Sequence, residues 1–140
     1  MYKTNKSLVS TYNTADTAVT VSGVTVPILG TERVTTGCSV KALPNGFKIL
    51  HTRLYDISYD VDLTMGATAG TVDLEIYLDS VRVDGAIASV SRAENSVDTI
   101  HVEVKTFVPT CCINQPTFTL RASGAVATIT NLQASAERIA

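Results

Sequence analysis

Two histidines, three cysteines and a row of aspartates are the residues of this chain whose types could support chemistry. His51 and His101 stand far apart, and neither has a second histidine at the H-x-x-x-H spacing that sets two imidazoles on one metal ion. Zinc requires several N or S ligands converging on one point, which two histidines and three cysteines would achieve here only by a coincidence of folding. Serine, histidine and aspartate are all present, yet no G-x-S-x-G turn marks a strained nucleophile. The residues therefore predict no enzyme, no metal and no cofactor. Asp56, Asp60 and Asp62 share one face of any strand they occupy, the last two about 7 Å apart. Such a row binds Ca²⁺ when a loop adds oxygens, and the D-x-D-x-D-G loop grammar is absent. The expectation is a solvated outer face, or one that meets Arg and Lys of a neighbouring strand. Cys38, Cys111 and Cys112 make an odd count, and adjacent cysteines bridge each other only with backbone strain. Reduced, partly buried thiols are predicted; the sharper alternative places Cys111 and Cys112 near a symmetry axis, cross-linking subunits.

The elements that must position these groups are strands. From Arg53 to Met65 the chain reads R-L-Y-D-I-S-Y-D-V-D-L-T-M, in which Ile57, Tyr59, Val61, Leu63 and Met65 alternate with Ser58, Asp60, Asp62 and Thr64. Successive side chains of a strand point to opposite faces, so this alternation buries one face and wets the other. The same period recurs at Val72, Leu74, Ile76 and Leu78, and at Ile100, Val102 and Val104. Pro44-Asn45-Gly46, Gly66 to Gly70, Asp79-Ser80, Asp84-Gly85 and Ser123-Gly124 supply turn chemistry between such runs, Asn-Gly through positive φ. Roughly eight to ten short strands at regular turn spacing describe a sandwich or barrel. Tyr55, Tyr59, Tyr77 and Phe107 could form a ligand platform, although aromatic rows on strands are more often core or subunit interface.

A chain of 140 residues rich in Thr and Val, without Trp, fits one all-β domain. Thirteen acidic and eleven basic residues, interspersed, give a net charge of −2 and no basic stripe for phosphate backbones, which argues against nucleic acid. No apolar stretch approaches membrane-spanning length, and M-Y-K-T-N-K-S lacks the apolar segment of a secretory signal. The chain is expected to remain where it is made unless carried out by assembly or lysis. Residues 1–16 are polar, with Leu8 and Val9 as apolar anchors, and read as an N-terminal attachment arm ahead of a head domain over 17–140.

At G-F-K-I-L-H-T-R-L-Y-D-I-S-Y-D-V-D-L the chain resembles the C1q/TNF-like jelly-roll superfamily. There an extended strand enters a Gly-x-Tyr-x-Ile-x-Tyr segment, and Leu54-Tyr55-Asp56-Ile57-Ser58-Tyr59 stands in its place, with Arg53 where the family usually has Gly. V-T-V-P-I-L-G followed by T-T-G-C-S-V is similar to the family's opening strands, and L-E-I-Y-L-D-S-V-R-V-D-G-A to one of its hairpins. T-C-C-I-N-Q-P-T-F-T-L-R-A-S-G-A resembles a Cys-rich strand and loop of bacterial and phage members. The resemblance runs from about Thr17 to Ile139. It implies an all-β jelly-roll sandwich and a homotrimer with Tyr55, Tyr59 and Phe107 at its core or interfaces. It further implies a non-enzymatic binding head of the kind found on collagen-like stalks, spore surfaces or viral fibres.

Without a Gly-x-y stalk, such a head resembles the capsid-decorating or head-fibre proteins of tailed phages. The expected partners are its own copies and a phage capsid or other virion protein, and the expected location is the virion, assembled in the host cytoplasm. The rival reading is a carbohydrate- or receptor-binding tip of a tail fibre or spore-surface protein, with a host surface glycan as ligand. A small hydrolase or metal enzyme is the alternative from another class.

Overall fold

The alternation over Arg53–Met65 produces the longest strand of the molecule, with Tyr55, Ile57, Tyr59, Val61, Leu63 and Met65 buried and the residues between them half-exposed. The computed structural model describes residues 7–110 and 114–140. In chain order the strands are β1 Leu8–Asn13, β2 Thr17–Val19, β3 Val24–Thr25, β4 Thr31–Thr36, β5 Val40–Leu43 and β6 Gly46–Ile49. They continue as β7 Arg53–Met65, β8 Gly70–Leu78, β9 Val81–Arg92, β10 Val97–Val108, β11 Thr117–Gly124 and β12 Ala127–Arg138.

Two antiparallel sheets result. One runs β10-β7-β12-β1-β4, with β2 also pairing β12; the other runs β5-β6-β11-β8-β9, with β3 also pairing β11. The chain crosses between sheets at β2 to β3, β3 to β4, β4 to β5, β6 to β7, β7 to β8, β9 to β10, β10 to β11 and β11 to β12, the connectivity of a jelly-roll sandwich. The inward residues of both sheets form one core, in which the Phe47 and Tyr59 rings pack with centroids 6.3 Å apart. Fully burying a side chain such as Ile57 or Leu74 contributes about 1.5–3 kcal/mol, so period-two alternation summed over β7, β8 and β11 drives the two sheets together.

Several local expectations change form. Pro44-Asn45 makes the tight β5–β6 turn, but neither Asn45 nor Gly46 has a positive φ. Glycine is needed at 46 for space, because a Cβ there would lie 2.2 Å from the Phe118 carbonyl oxygen on the paired strand. The β8–β9 hairpin turns at Asp79-Ser80, with Asp79 at φ 53°. Asp84-Gly85 is no turn. Val83 to Ala86 bulge out opposite Ile76, and Gly85 takes φ 78° within that bulge. Arg53 pairs with Val108 as ordinary extended strand, so the family's glycine is not required at this place.

The attachment arm requires the largest correction. Leu8–Asn13 is β1, bonded on one side to β12 and on the other to β4, with Val9 fully buried. Thr11 is buried on the same face as Val9, and a polar residue at an inward position hides the alternation that would have betrayed a strand. Ser7 also belongs to the sandwich, its hydroxyl accepting the backbone N–H groups of Cys38 and Ser39 at 3.0 and 2.9 Å. The head therefore includes Ser7 and β1, and a boundary after Asp16 would cut through the sheet. Residues 1–6 lie outside the described residues.

Deletion of residues 1–16 is expected to abolish cooperative thermal unfolding, because it opens β12 along one edge and strands β4 with no partner. Deletion of residues 1–6 alone should leave the melt unchanged. Circular dichroism melts of the two truncations decide this; a wild-type melt from a chain starting at Thr17 would show that β1 is dispensable.

Candidate functional site

The outward faces of β10, β7, β12 and β1 are in register, and their side chains form rows across the sheet. Nearest the end where β1 enters, Phe107 stands opposite Leu54, and Leu54 exchanges backbone hydrogen bonds with Ile139 and Ala140 just past β12. Phe107 is 60% and Ile139 40% exposed. The next row is Lys105, Asp56, Glu137 and Leu8. It is followed by Glu103, Ser58, Ser135 and Ser10, then by His101, Asp60, Gln133 and Tyr12. Directly opposed side chains lie close enough to interact: Ser58 and Ser135 hydroxyls share a 2.7 Å hydrogen bond, and His101 Nδ1 lies 2.8 Å from Asp60 Oδ1. Small serines leave a shallow dimple at the centre, lined by Ser10, Ser58, Asp60 and Ser135.

Bulges re-aim side chains at this face. Asn131 and Leu132 stand opposite Val61 alone, Asn131 takes φ 49°, and its side-chain amide donates to Asp62 at 2.9 Å. With Thr99 donating to the other oxygen at 2.8 Å, these bonds hold the Asp62 carboxyl below the usual carboxylate range. On β4, Arg33 is the extra residue of a bulge and places its guanidinium 4.8 Å from the centroid of the Tyr12 ring. The aspartate row is thus an outer face, as expected: Lys105 of the neighbouring β10 stands opposite Asp56, while Asp60 and Asp62 meet His101, Thr99 and Asn131.

The four aromatics form no platform. Tyr55 and Tyr59 are inside the sandwich with no exposed surface, Tyr77 is on the outer face of the second sheet beneath Arg121, and Phe107 is on the outer face of the first. Burial in a single chain removes Tyr55 and Tyr59 from any surface that another copy could reach. Leu8 and Val9 are divided likewise: Val9 faces the core and Leu8 the outer face. Cys38 is exposed, while Cys111 and Cys112 lie outside the described residues.

The second histidine has a structural setting. His51 Nδ1 is 3.2 Å from Ser39 Oγ, and the His51 carbonyl accepts the Tyr55 hydroxyl at 2.7 Å. Ser39 is fully buried, so this serine–histidine pair cannot present a nucleophile to a substrate. Burial raises the Tyr55 phenol above its ordinary pKa, with hydrogen bonding to Ser39 and the charge of Arg138 opposing. At the same end of the molecule, the β8–β9 turn and β10 bound an open groove lined by Leu78, Val81, Val83, Val104, Pro109 and Pro116. Among the described residues, no helix is long and apolar enough to cross a membrane, and no three His, Cys, Asp or Glu side chains converge as metal ligands.

No family model matches the chain, and no curated protein matches it in sequence. Solved structures do. Murine APRIL at pH 5.0 superposes with TM-score 0.71 at 8% identity over 96% of this chain and 99% of that one. Eiger TNF from S. frugiperda gives 0.68 at 6% identity over 98% and 94%. The PRD1 vertex protein P5 gives 0.56 at 13% identity over 96% and 97%. The fold is a TNF-like jelly-roll sandwich, and identities this low carry the likeness no further than fold.

The two core tyrosines should respond oppositely to loss of the hydroxyl. Tyr59 is fully buried and its hydroxyl meets no hydrogen-bond partner among the described residues, so Tyr59→Phe is expected to be neutral or to stabilise by up to about 1 kcal/mol. Tyr55→Phe leaves the His51 carbonyl without its donor and should cost about 1–2 kcal/mol. Urea unfolding of both variants checks the contrast; equal destabilisation would refute the assignment.

Proposed function

We propose that this chain is a non-enzymatic structural protein of a virion, a homotrimeric capsid-decorating or head-fibre protein of a tailed phage. The observation that carries the reading is the likeness, over 96% of the chain, to a protein described as a vertex protein. A small jelly-roll head of this kind also fits the TNF-like neighbours, so the virion assignment rests on the vertex protein.

The surface that supports oligomerisation is the apolar row Phe107–Leu54–Ile139, with half-buried Leu8 one row away. An exposed Phe and Ile on either side of Leu54 form a patch that water disfavours. A second copy of this chain is the occupant proposed. The face beside the row carries Arg33 and Lys105 together with Glu103, Glu137 and Asp60, so a rotated copy can set opposite charges against each other. Residues 1–6, which precede β1 in the sequence, supply in this reading the attachment to the particle that had been expected of the longer arm.

Light scattering of the purified protein at micromolar concentration should give three times the mass of one chain. Phe107→Asp, a change at an exposed position, should give the mass of one chain while keeping the β-sheet circular dichroism spectrum and a cooperative melt. A monomeric wild type, or a Phe107→Asp variant that stays trimeric, would overturn the proposed interface. Detection of the protein by mass spectrometry on purified phage particles, and its loss from them on deletion of residues 1–6, supports the virion role. Absence from particles combined with capture on a glycan array would replace it with the fibre-tip reading.

A further inference from the structure

Both ring nitrogens of His101 sit on carboxylates, Nδ1 at 2.8 Å from Asp60 Oδ1 and Nε2 at 3.1 Å from Glu103 Oε1. A neutral imidazole has one N–H and one acceptor nitrogen, so it can serve only one of the two. Satisfying both requires the imidazolium or a protonated carboxyl. The carboxyl of Asp56 on β7 stands diagonally beside Glu103 across the pair, and two carboxyl groups bond to each other only with a proton between them. One of the Asp56 oxygens, Oδ1, is enclosed without a partner among the described residues. Asp60, His101, Glu103 and Asp56 thus form a zigzag between β7 and the edge strand β10, and its hydrogen bonds call for two protons beyond the fully deprotonated set.

The surroundings do little to replace those protons. Lys105, on β10, has its Nζ 3.9 Å from Glu103 Oε2, and Glu137 of β12 adds negative charge beside Asp56. Asp62 of β7 is engaged by Thr99 and Asn131. On β9, Arg92 is bound to Asp98 and Arg82 to Glu75. Among the described residues Lys105 is the cation beside Glu103, and Arg33 of β4 lies farther along the row, its guanidinium donating to Gln133 at 3.3 Å and stacked on the Tyr12 ring.

We propose that Asp60, His101, Glu103 and Asp56 form a proton-holding array that fastens edge strand β10 to β7 and slackens as the solution passes from mildly acidic to mildly alkaline. Three shifts agree with this geometry. Hydrogen bonds donated to Asp60 and then to Glu103 raise His101 above its ordinary value. Burial first, then the hydrogen bond and charge of Glu103, push Asp56 up to about 6. The bond from Asp56 and the one from His101 hold Glu103 below its usual range. His101, raised on folding, adds stability that is complete below about 6.5 and is lost as pH rises through its folded value. Asp56, also raised, acts in the same direction, because the folded state binds its proton over a range in which the unfolded chain has released it. Glu103, Asp62 and Asp98 act oppositely, losing their contribution as pH falls through their lowered values. Stability is then greatest in mildly acidic solution, and β10 is the strand that loosens above it.

The test is a titration of the whole protein by NMR, following the His101 ring and the exchange protection of the β10 amides from about pH 5 to pH 8. His101 is expected to titrate above 6.5. The protection factors of residues 101–105, corrected for intrinsic base catalysis, should fall several-fold over that range while those of β8 and β11 hold. Glu103→Gln and Asp60→Asn, both at half-exposed side chains, should bring the His101 midpoint down towards 6.5 and flatten the fall in protection. A His101 midpoint at or below 6.5 would overturn the proposal. So would β10 protection that does not change with pH, or variants that leave the midpoint where it was.

Discussion

The interaction on which the rest of the molecule depends is the pairing of β7 with β10 on one side and β12 on the other. β7 is the longest strand, and its register fixes two surfaces at once. Inward, it sends Tyr55, Ile57, Tyr59, Val61, Leu63 and Met65 into the core. Outward, it aligns Leu54, Asp56, Ser58, Asp60 and Asp62 with their counterparts on both neighbours. A slip of one residue would exchange the two sets, placing carboxylates in the core and tyrosines in water, a cost far beyond the marginal stability of a single domain. The outer face is therefore held in place by the same alternation that builds the core.

That coupling explains how the outer face can be chemically diverse while the fold remains that of distant proteins. Core positions require only apolar residues of suitable volume at every second place. Murine APRIL, Eiger and the PRD1 vertex protein share the architecture with this chain at 6–13% identity. The outward rows are free to carry an apolar band at one end, a serine dimple in the middle and a histidine among carboxylates beyond it. Function on such a scaffold is a property of these rows, and fold likeness alone does not transmit it.

The bulges are the second device of the face. Asn131 and Arg33 each occupy an extra position in a strand, and each delivers a polar side chain to the outer surface, to Asp62 in one case and over Tyr12 in the other. A regular ladder would have pointed one of each flanking pair inward. The bulge of β9 at Val83 to Ala86 lies in the strand facing the open groove beside β10. In all three places the departure from regular pairing coincides with a feature of the surface.

By itself, the sequence determined the all-β class, the position of β7, β8, β10 and β11, most of the turns and the inward tyrosines, since period-two alternation and turn chemistry are local properties of the chain. It concealed β1, because Thr11 interrupts the apolar alternation, and it misplaced a turn at Asp84-Gly85, where glycine serves a bulge. The need for glycine at 46 was visible only as turn chemistry, while its cause is the Phe118 carbonyl of a strand far along the chain. The site belongs to tertiary structure for the same reason. Asp60 and His101 are 41 residues apart, and Leu54 meets Phe107 and Ile139 only once β10 and β12 have aligned on β7. Alternation states which face a residue occupies; which distant residue stands beside it is settled by register, and register is chosen by the packing of the whole core.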